Sequence, residues 1–320
     1  MKKLTLKGLW QVLKESFSGF SENKVLKLSG ALAYYTLFSM APLLIVIIFL
    51  CSIFFGRADT EHSIYSQIEN FVGSDTALQL QQIITNASLE GKSNFAVVIG
   101  IITLFIGATT VFAEIQESIN MIWGLKPKPK KGWLKMLQNR LLSFSVVIGL
   151  GFLLLVSLAV SAIIEALMDK LQNVFPGIAV IAFYILSLLV SFAVITVLFG
   201  GIFKVLPDAQ IKWKDVLAGA IATAILFMLG KFAISFYISK SNIGSTYGTA
   251  GSLVVLLLWI YYSAVILYFG AEFTKAYAVR YGSAIHPDNY AVVTKTIEVE
   301  SDDGTTVQEK ERQKKQNNTN

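Results

Sequence analysis

The uncharged run from Thr249 to Ala271 constrains this chain more than any other feature. At ~1.5 Å per residue, a helix over that run is ~34 Å long, enough to cross the ~30 Å hydrocarbon core of a bilayer with some tilt. Small residues lead into it (Gly248, Thr249, Ala250, Gly251, Ser252), Trp259, Tyr261 and Tyr262 form its aromatic middle, and Gly270-Ala271-Glu272 closes it. Small residues let helices approach closely in lipid, and an acid at membrane depth needs a partner or water. The stretch therefore reads as both a membrane span and a packing element.

Composition agrees. Of the 320 residues, 54% are hydrophobic and 15% are charged, against about 25% charged in soluble domains. The pattern predicts an all-α fold: a polytopic integral membrane protein with six transmembrane helices, both termini cytoplasmic (N-in/C-in), and an N-terminal amphipathic interfacial helix. The spans are expected at about 30–55, 95–113 continuing as helix to 123, 141–164, 177–203, 216–237 and 249–271. Together they make a membrane domain over 29–280. Pro42 inside span 1 removes a backbone hydrogen bond and crowds the Phe38 carbonyl, so a kink is expected there. Asp215 is an expected N-cap of span 5, in which Ala218 and Ala222, then Gly219 and Thr223, give a small-xxx-small face.

The connecting segments supply orientation. In 1–28, Leu6, Leu9, Trp10, Leu13, Phe17 and Phe20 recur at three- and four-residue steps, with Lys3, Lys7, Gln11, Lys14 and Ser18 on the other face. That is a helix suited to the cytoplasmic headgroup region. The 56–94 connection is acidic, and its periodicity suggests an extracellular loop of two short amphipathic helices. Residues 281–320 read as a cytoplasmic, largely disordered tail. Lys and Arg number six in the N-terminal segment, six in the span 2–3 loop and three in the span 4–5 loop, against two, one and one in the alternate loops. All basic segments thus fall on one side, which the positive-inside rule makes cytoplasmic.

Enzyme chemistry finds little support. The two histidines, His62 and His286, are far apart, and the sequence holds no HExxH, no G-x-S-x-G elbow and no P-loop. Cys51 lies in an apolar run and reads as a core residue. No cofactor or metal is expected. The candidate pathway residues are Glu114, Glu117 and Asn120, spaced three apart at the end of span 2, with Glu272 at the end of span 6 and Tyr34, Tyr35 and Pro42 in span 1. A buried acid cluster can bind a cation, take up a proton or contact a headgroup, whereas acids beyond the hydrocarbon simply pair with lysines. Lys126, Lys128, Lys130 and Lys131, between Trp123 and Trp133, suit anionic lipid headgroups or serve only as a topology signal. The expected partner is the lipid bilayer, with no nucleic acid; a homo-oligomer is compatible with the small-residue faces.

Three stretches resemble one family. Ala31–Pro42 (ALAYYTLFSMAP) resembles the first-span motif of the YihY/BrkB family of bacterial inner-membrane proteins, Ser118–Trp123 (SINMIW) its second-span end, and Tyr247–Glu272 its last span. The resemblance covers about residues 10–280 and implies a bacterial plasma (inner) membrane protein of six spans. Proteins of this family were once labelled a tRNA-processing ribonuclease, are linked by name to serum resistance, and have been suggested as transporters, with lipid as one cargo. The resemblance carries over no catalytic or substrate residue. The expected function is a transporter or flippase-like protein for a polar lipid or small solute. The alternatives are a non-transporting envelope scaffold and, least favoured because the cytoplasmic loops are Lys-rich and acid-poor, a membrane-bound ribonuclease.

Overall fold

The computed structural model describes residues 5–39, 65, 78, 81, 110–128, 176–240, 251–283, 285–288 and 291–294. These are mostly helical: α1 (Leu6–Glu22), α2 (25–39), α3 (110–122), α4 (Pro176–Val205), α5 (Trp213–Lys240) and α6 (Gly251–Tyr281). Four short strands accompany them: β1 (Leu125–Pro127), β2 (Ala209–Gln210), β3 (His286–Pro287) and β4 (Ala291–Val293). Pro42 and the expected 56–94 and 141–164 elements lie outside the described residues, apart from the isolated 65, 78 and 81.

Among the described residues three helical stretches are long and apolar enough to cross a membrane: Ile185–Val205, Trp213–Ile234 and Leu253–Tyr281. Their outward side chains, such as Leu189, Leu229, Phe232 and Leu253, are exposed and apolar. In water such surface would be unstable; facing lipid tails it carries no penalty. α5 packs against both α4 and α6, and α6 packs in turn against α1.

The α5–α6 contact is close because glycine and threonine alternate across it. A Cβ on Gly219 would run into the Thr274 side chain, and one on Gly270 into Thr223. Each threonine hydroxyl donates back to the glycine one turn earlier on its own helix, Thr223 Oγ1 to Gly219 O and Thr274 Oγ1 to Gly270 O, both at 2.7 Å. The polar atoms are thus satisfied within each helix while the same threonine side chains, hydroxyl oxygen foremost, fill the partner's notch. Further along, the Tyr262 ring lies over Gly230, and its hydroxyl donates to the Leu226 and Phe227 carbonyls at 3.3 Å. Asp215 stands inside the first turn of α5 rather than capping it, and accepts from the Ser283 N–H and hydroxyl, both at 3.1 Å.

α1 starts where the Thr5 hydroxyl accepts from Gly8 N at 3.2 Å, a side-chain cap on an otherwise orphan donor. It stops at Asn23-Lys24. Asn23 N donates to Gly19 O, and Lys24 takes a left-handed φ of 52°, after which α2 begins at once. The residues of α1 buried in the protein are Gly8, Val12 and Ser16. The large apolar residues point elsewhere: Leu6 is 89% exposed, Trp10 71% and Phe17 63%. Placed at 100° per residue, α1 has three sectors: a small-residue face on α6, an apolar face turned outward, and a face with Lys7, Gln11 and Lys14. Sequence periodicity separates the last two and does not isolate the first.

Beyond α6 the chain turns back over the end of the helices. β3 pairs antiparallel with β2 (Gln210 opposite His286), and β4 with β1 (Leu125 opposite Val293, Pro127 opposite Ala291). Gly124, at φ +70°, makes the turn from α3 into β1, and its carbonyl accepts from Thr294 N at 2.8 Å. Residues 286–287 and 291–293, within the stretch expected as a tail, pair with the α4–α5 and α3–β1 connections respectively. The reason is local: these connections offer short exposed edges with free backbone groups, and a strand of two or three residues is enough to satisfy them.

Candidate functional site

The polar residues worth weighing converge where α3 meets α6 and the α4–α5 connection. α3 is built around a ridge of Ile115, Ile119 and Ile122, all buried. One turn-spaced polar pair flanks the ridge on each side: Glu114 and Ser118 on one, Gln116 and Asn120 on the other. The helix is fastened to α6 by two bonds to backbone carbonyls at their ends. Trp123 Nε1 donates to Ala271 O at 3.0 Å, and Lys275 Nζ donates to Ile122 O at 2.6 Å. The second also satisfies a carbonyl of the last turn of α3 with a cation, which suits that end of the helix dipole.

Gln116 and Asn120 hold Asp208. Gln116 Nε2 donates to Asp208 Oδ1 at 3.1 Å and Asn120 Nδ2 to Oδ2 at 2.9 Å, while Asp208 N donates to Asn120 Oδ1 at 2.8 Å. All three side chains are buried. A buried carboxylate is costly unless its oxygens are bonded; here amides bond both. The Asp208 carbonyl then accepts from Asp288 N at 3.1 Å, so the same residue anchors the returning chain. Lys204, close in sequence, donates to the Ile211 carbonyl and stands 5.7 Å from the Trp213 ring centroid.

Glu272 is 2% exposed. Asn23 Nδ2, from the turn between α1 and α2, donates to its Oε1 at 2.6 Å. A Cβ on Gly19 would collide with the same carboxylate, so the glycine is what lets α1 lie this close. The Phe17 ring meets Phe269 tilted and Phe20 meets it edge-on, at 4.9 and 6.1 Å between centroids, and Arg280 reaches Glu15 at 3.7 Å.

Glu114 is half-buried, and Ser118 Oγ stands 3.5 Å from its Oε1. The Tyr268 hydroxyl of α6 faces Ser118 beside Glu114. It is wholly buried and has no hydrogen-bond partner among the described residues. Glu117 is exposed. Tyr34 and Tyr35 are exposed on α2, where Tyr34 packs on Tyr35 and Phe38 at 5.7 and 4.8 Å. Lys126 and Lys128 are exposed at β1 and just after it, while Lys130 and Lys131 lie outside the described residues. The structure thus gives Glu114, Asn120 and Glu272 separate surroundings, Ser118, Asp208 and Asn23 respectively, and sets Tyr34, Tyr35 and Glu117 on the surface.

Sequence reading did not single out Asn23, Gln116, Asp208 or Tyr268. Gln116 leaves a trace, as a polar residue one turn from Asn120 beside an isoleucine ridge. So does Asp208, the lone acid between Lys204 and Lys214. Nothing in sequence links Asn23 to a residue 249 positions away. Among the described residues no group of three or more His, Cys, Asp or Glu side chains is placed to hold a metal ion.

Long apolar helices with lipid-suited surfaces define an integral membrane protein of helical type. The chain belongs to the family described as virulence factor BrkB, whose model matches residues 16–292. It is 29% identical over 281 residues to a UPF0761 membrane protein of Pseudoalteromonas translucida, covering 86% of this chain and 85% of that one. It is 28% identical over 262 residues to one of Haemophilus influenzae, covering 79% and 90%. A third, from Stenotrophomonas maltophilia, is 29% identical over 264 residues, covering 81% of this chain but only 59% of its own longer length. No solved structure matches.

Proposed function

We propose that this chain is a six-span transporter or flippase-like protein of the bacterial inner membrane, with both termini cytoplasmic, handling a polar lipid or small solute. The observation that carries the reading is the setting of Glu272. A carboxyl group inside the long apolar helix α6, nine residues before its end, is 2% exposed and is hydrogen-bonded by an amide, Asn23, from the turn between α1 and α2. Ionisable groups at membrane depth are expensive and mark pathways or relays more often than scaffolding. An amide partner leaves the carboxyl able to change protonation or ligand, and couples that change to α1. The outward apolar sector of α1 (Leu6, Trp10, Phe17) with its flanking Lys7 and Lys14 suits that helix to anionic headgroups. The basic loops support the orientation.

The test is reconstitution of the purified chain in liposomes, with fluorescent phospholipids and radiolabelled solutes offered in turn. Protein-dependent movement of one class is expected. Movement of none, with the protein correctly inserted, overturns the reading. A second reading, an envelope scaffold, draws on the close Gly–Thr packing of α5 on α6, and predicts that same inert result.

A further inference from the structure

We infer that Lys204, Lys212, Trp213 and Lys214 form a binding site for the headgroup of an anionic phospholipid, where the end of α4 and the start of α5 meet the lipid-facing surface. Trp213, the first residue of α5, is 63% exposed. Leu217 and Ile221 follow it at four-residue steps and are exposed too, so the ring stands at the end of an apolar face that suits lipid tails. A tryptophan at that level, apolar in its body and polar at its N–H, suits the membrane–water interface. On α4, Lys204 lies two turns beyond Val197, which is 59% exposed, and so shares its outward side. The Lys204 Nζ donates to the Ile211 carbonyl and stands 5.7 Å from the Trp213 ring centroid. Cation and ring are thereby held together across the α4–α5 connection.

The charge around the ring has one sign. Lys212 and Lys214 flank it, and both are exposed; neither makes an ion pair among the described residues. The acids of the same connection are turned inward and buried: Asp208 is held by Gln116 and Asn120, and Asp215 accepts from Ser283. Asp288 of the returning chain accepts from Gln210. Three lysines thus surround one exposed ring, while these acids have other partners. Lysines clustered beside a membrane surface attract anionic headgroups over zwitterionic ones. The apolar face decides the source of the phosphate: a free ion uses the lysines alone, whereas a phospholipid also lays its acyl chains along Leu217 and Ile221. The site goes beyond the transporter reading and does not rest on it. The lipid here is a resident ligand on the outside of the bundle, not the cargo.

The experiment uses the full chain, delipidated in a nonionic detergent at low salt, and titrates it with dioleoyl phosphatidylglycerol, dioleoyl phosphatidylcholine or sodium phosphate. Native mass spectrometry counts bound lipid, and melting temperature is read alongside. Phosphatidylglycerol should bind about tenfold tighter than phosphatidylcholine or more, and should raise the melting temperature. Lys212→Gln/Lys214→Gln should weaken the tightest phosphatidylglycerol by about thirtyfold, at roughly fivefold per lysine, and Trp213→Leu should weaken it several-fold. These three side chains are exposed, so the variants keep the fold. Lys126→Gln/Lys128→Gln removes the same charge from another exposed stretch and should leave the tightest lipid in place. Equal binding of the two lipids, equal loss in the two double variants, or unchanged binding in Trp213→Leu overturns the site. Sodium phosphate raising the melting temperature as far as phosphatidylglycerol marks an inorganic anion site and overturns the lipid assignment.

Discussion

The Asn23 amide donates to the Glu272 carboxylate at 2.6 Å and ties the end of α1 to α6. Beneath that bond Gly19 leaves just the room the carboxylate fills. The contact joins the amphipathic helix to the longest apolar helix among the described residues. Glu272→Ala should therefore destabilise the protein by about 1–3 kcal/mol, and Asn23→Ala by a similar amount, because each leaves a buried partner unsatisfied. Glu272→Gln, which keeps an acceptor oxygen, should lose less. The double variant should lose less than the sum, with a coupling of about 0.5–3 kcal/mol, read from melting in detergent.

Replacing the notch residues of the α5–α6 contact should have a sharp and correctable effect. Gly219→Ala places a methyl group against Thr274, and Gly270→Ala against Thr223. Overpacking of this kind costs about 1–3 kcal/mol. Thr274→Ala should partly rescue Gly219→Ala and leave Gly270→Ala unrescued, since the two notches are filled by different threonines. Thermal unfolding of the four variants checks the pattern.

Asp208 should resist even isosteric change. Both of its oxygens accept from amide donors, so Asp208→Asn sets an NH2 group against a donor and should cost about 1–3 kcal/mol. Asn120→Asp should do at least as much harm by facing two carboxylates. Protease sensitivity at 285–288, the segment anchored by the Asp208 carbonyl through Asp288 N, should rise in both variants.

The long apolar helices were legible because a run without charge over ~30 Å has few other uses. The helical period of α1 was legible too, through Leu6, Trp10 and Phe17. Its packing face was not. In water the large apolar residues of an amphipathic helix face the core; here lipid can take them, and the protein receives Gly8, Val12 and Ser16 instead. Glu114 and Glu272 drew notice because each abuts an uncharged run. Their environments were beyond reach, since Asn23 comes to Glu272 and Tyr268 to Glu114 from other parts of the chain. The Gly219–Thr223 step was visible on α5, but its counterpart Gly270–Thr274 on α6 reads as ordinary span until the two helices are placed side by side. The strand at Ala291–Val293 is too short for alternation to separate it from a polar tail.

The three-sector reading of α1 has its own test. A nitroxide at position 10, in a Cys51→Ser background reconstituted in vesicles containing anionic lipid, should be more accessible to oxygen than to a water-soluble nickel complex, as lipid-facing sites are. Position 12, buried on α6, should be accessible to neither. Position 11, in the polar sector, should favour the nickel complex. Equal accessibility around the helix would place α1 in water.

The most direct measurement of the central claim is lipid and solute movement in proteoliposomes, made side by side with the native chain and Glu272→Ala at equal protein density. The account predicts protein-dependent translocation of a polar lipid or solute by the native chain and a loss of about tenfold or more in the variant, with insertion unchanged. Equal rates in native, variant and protein-free vesicles for every cargo would contradict it.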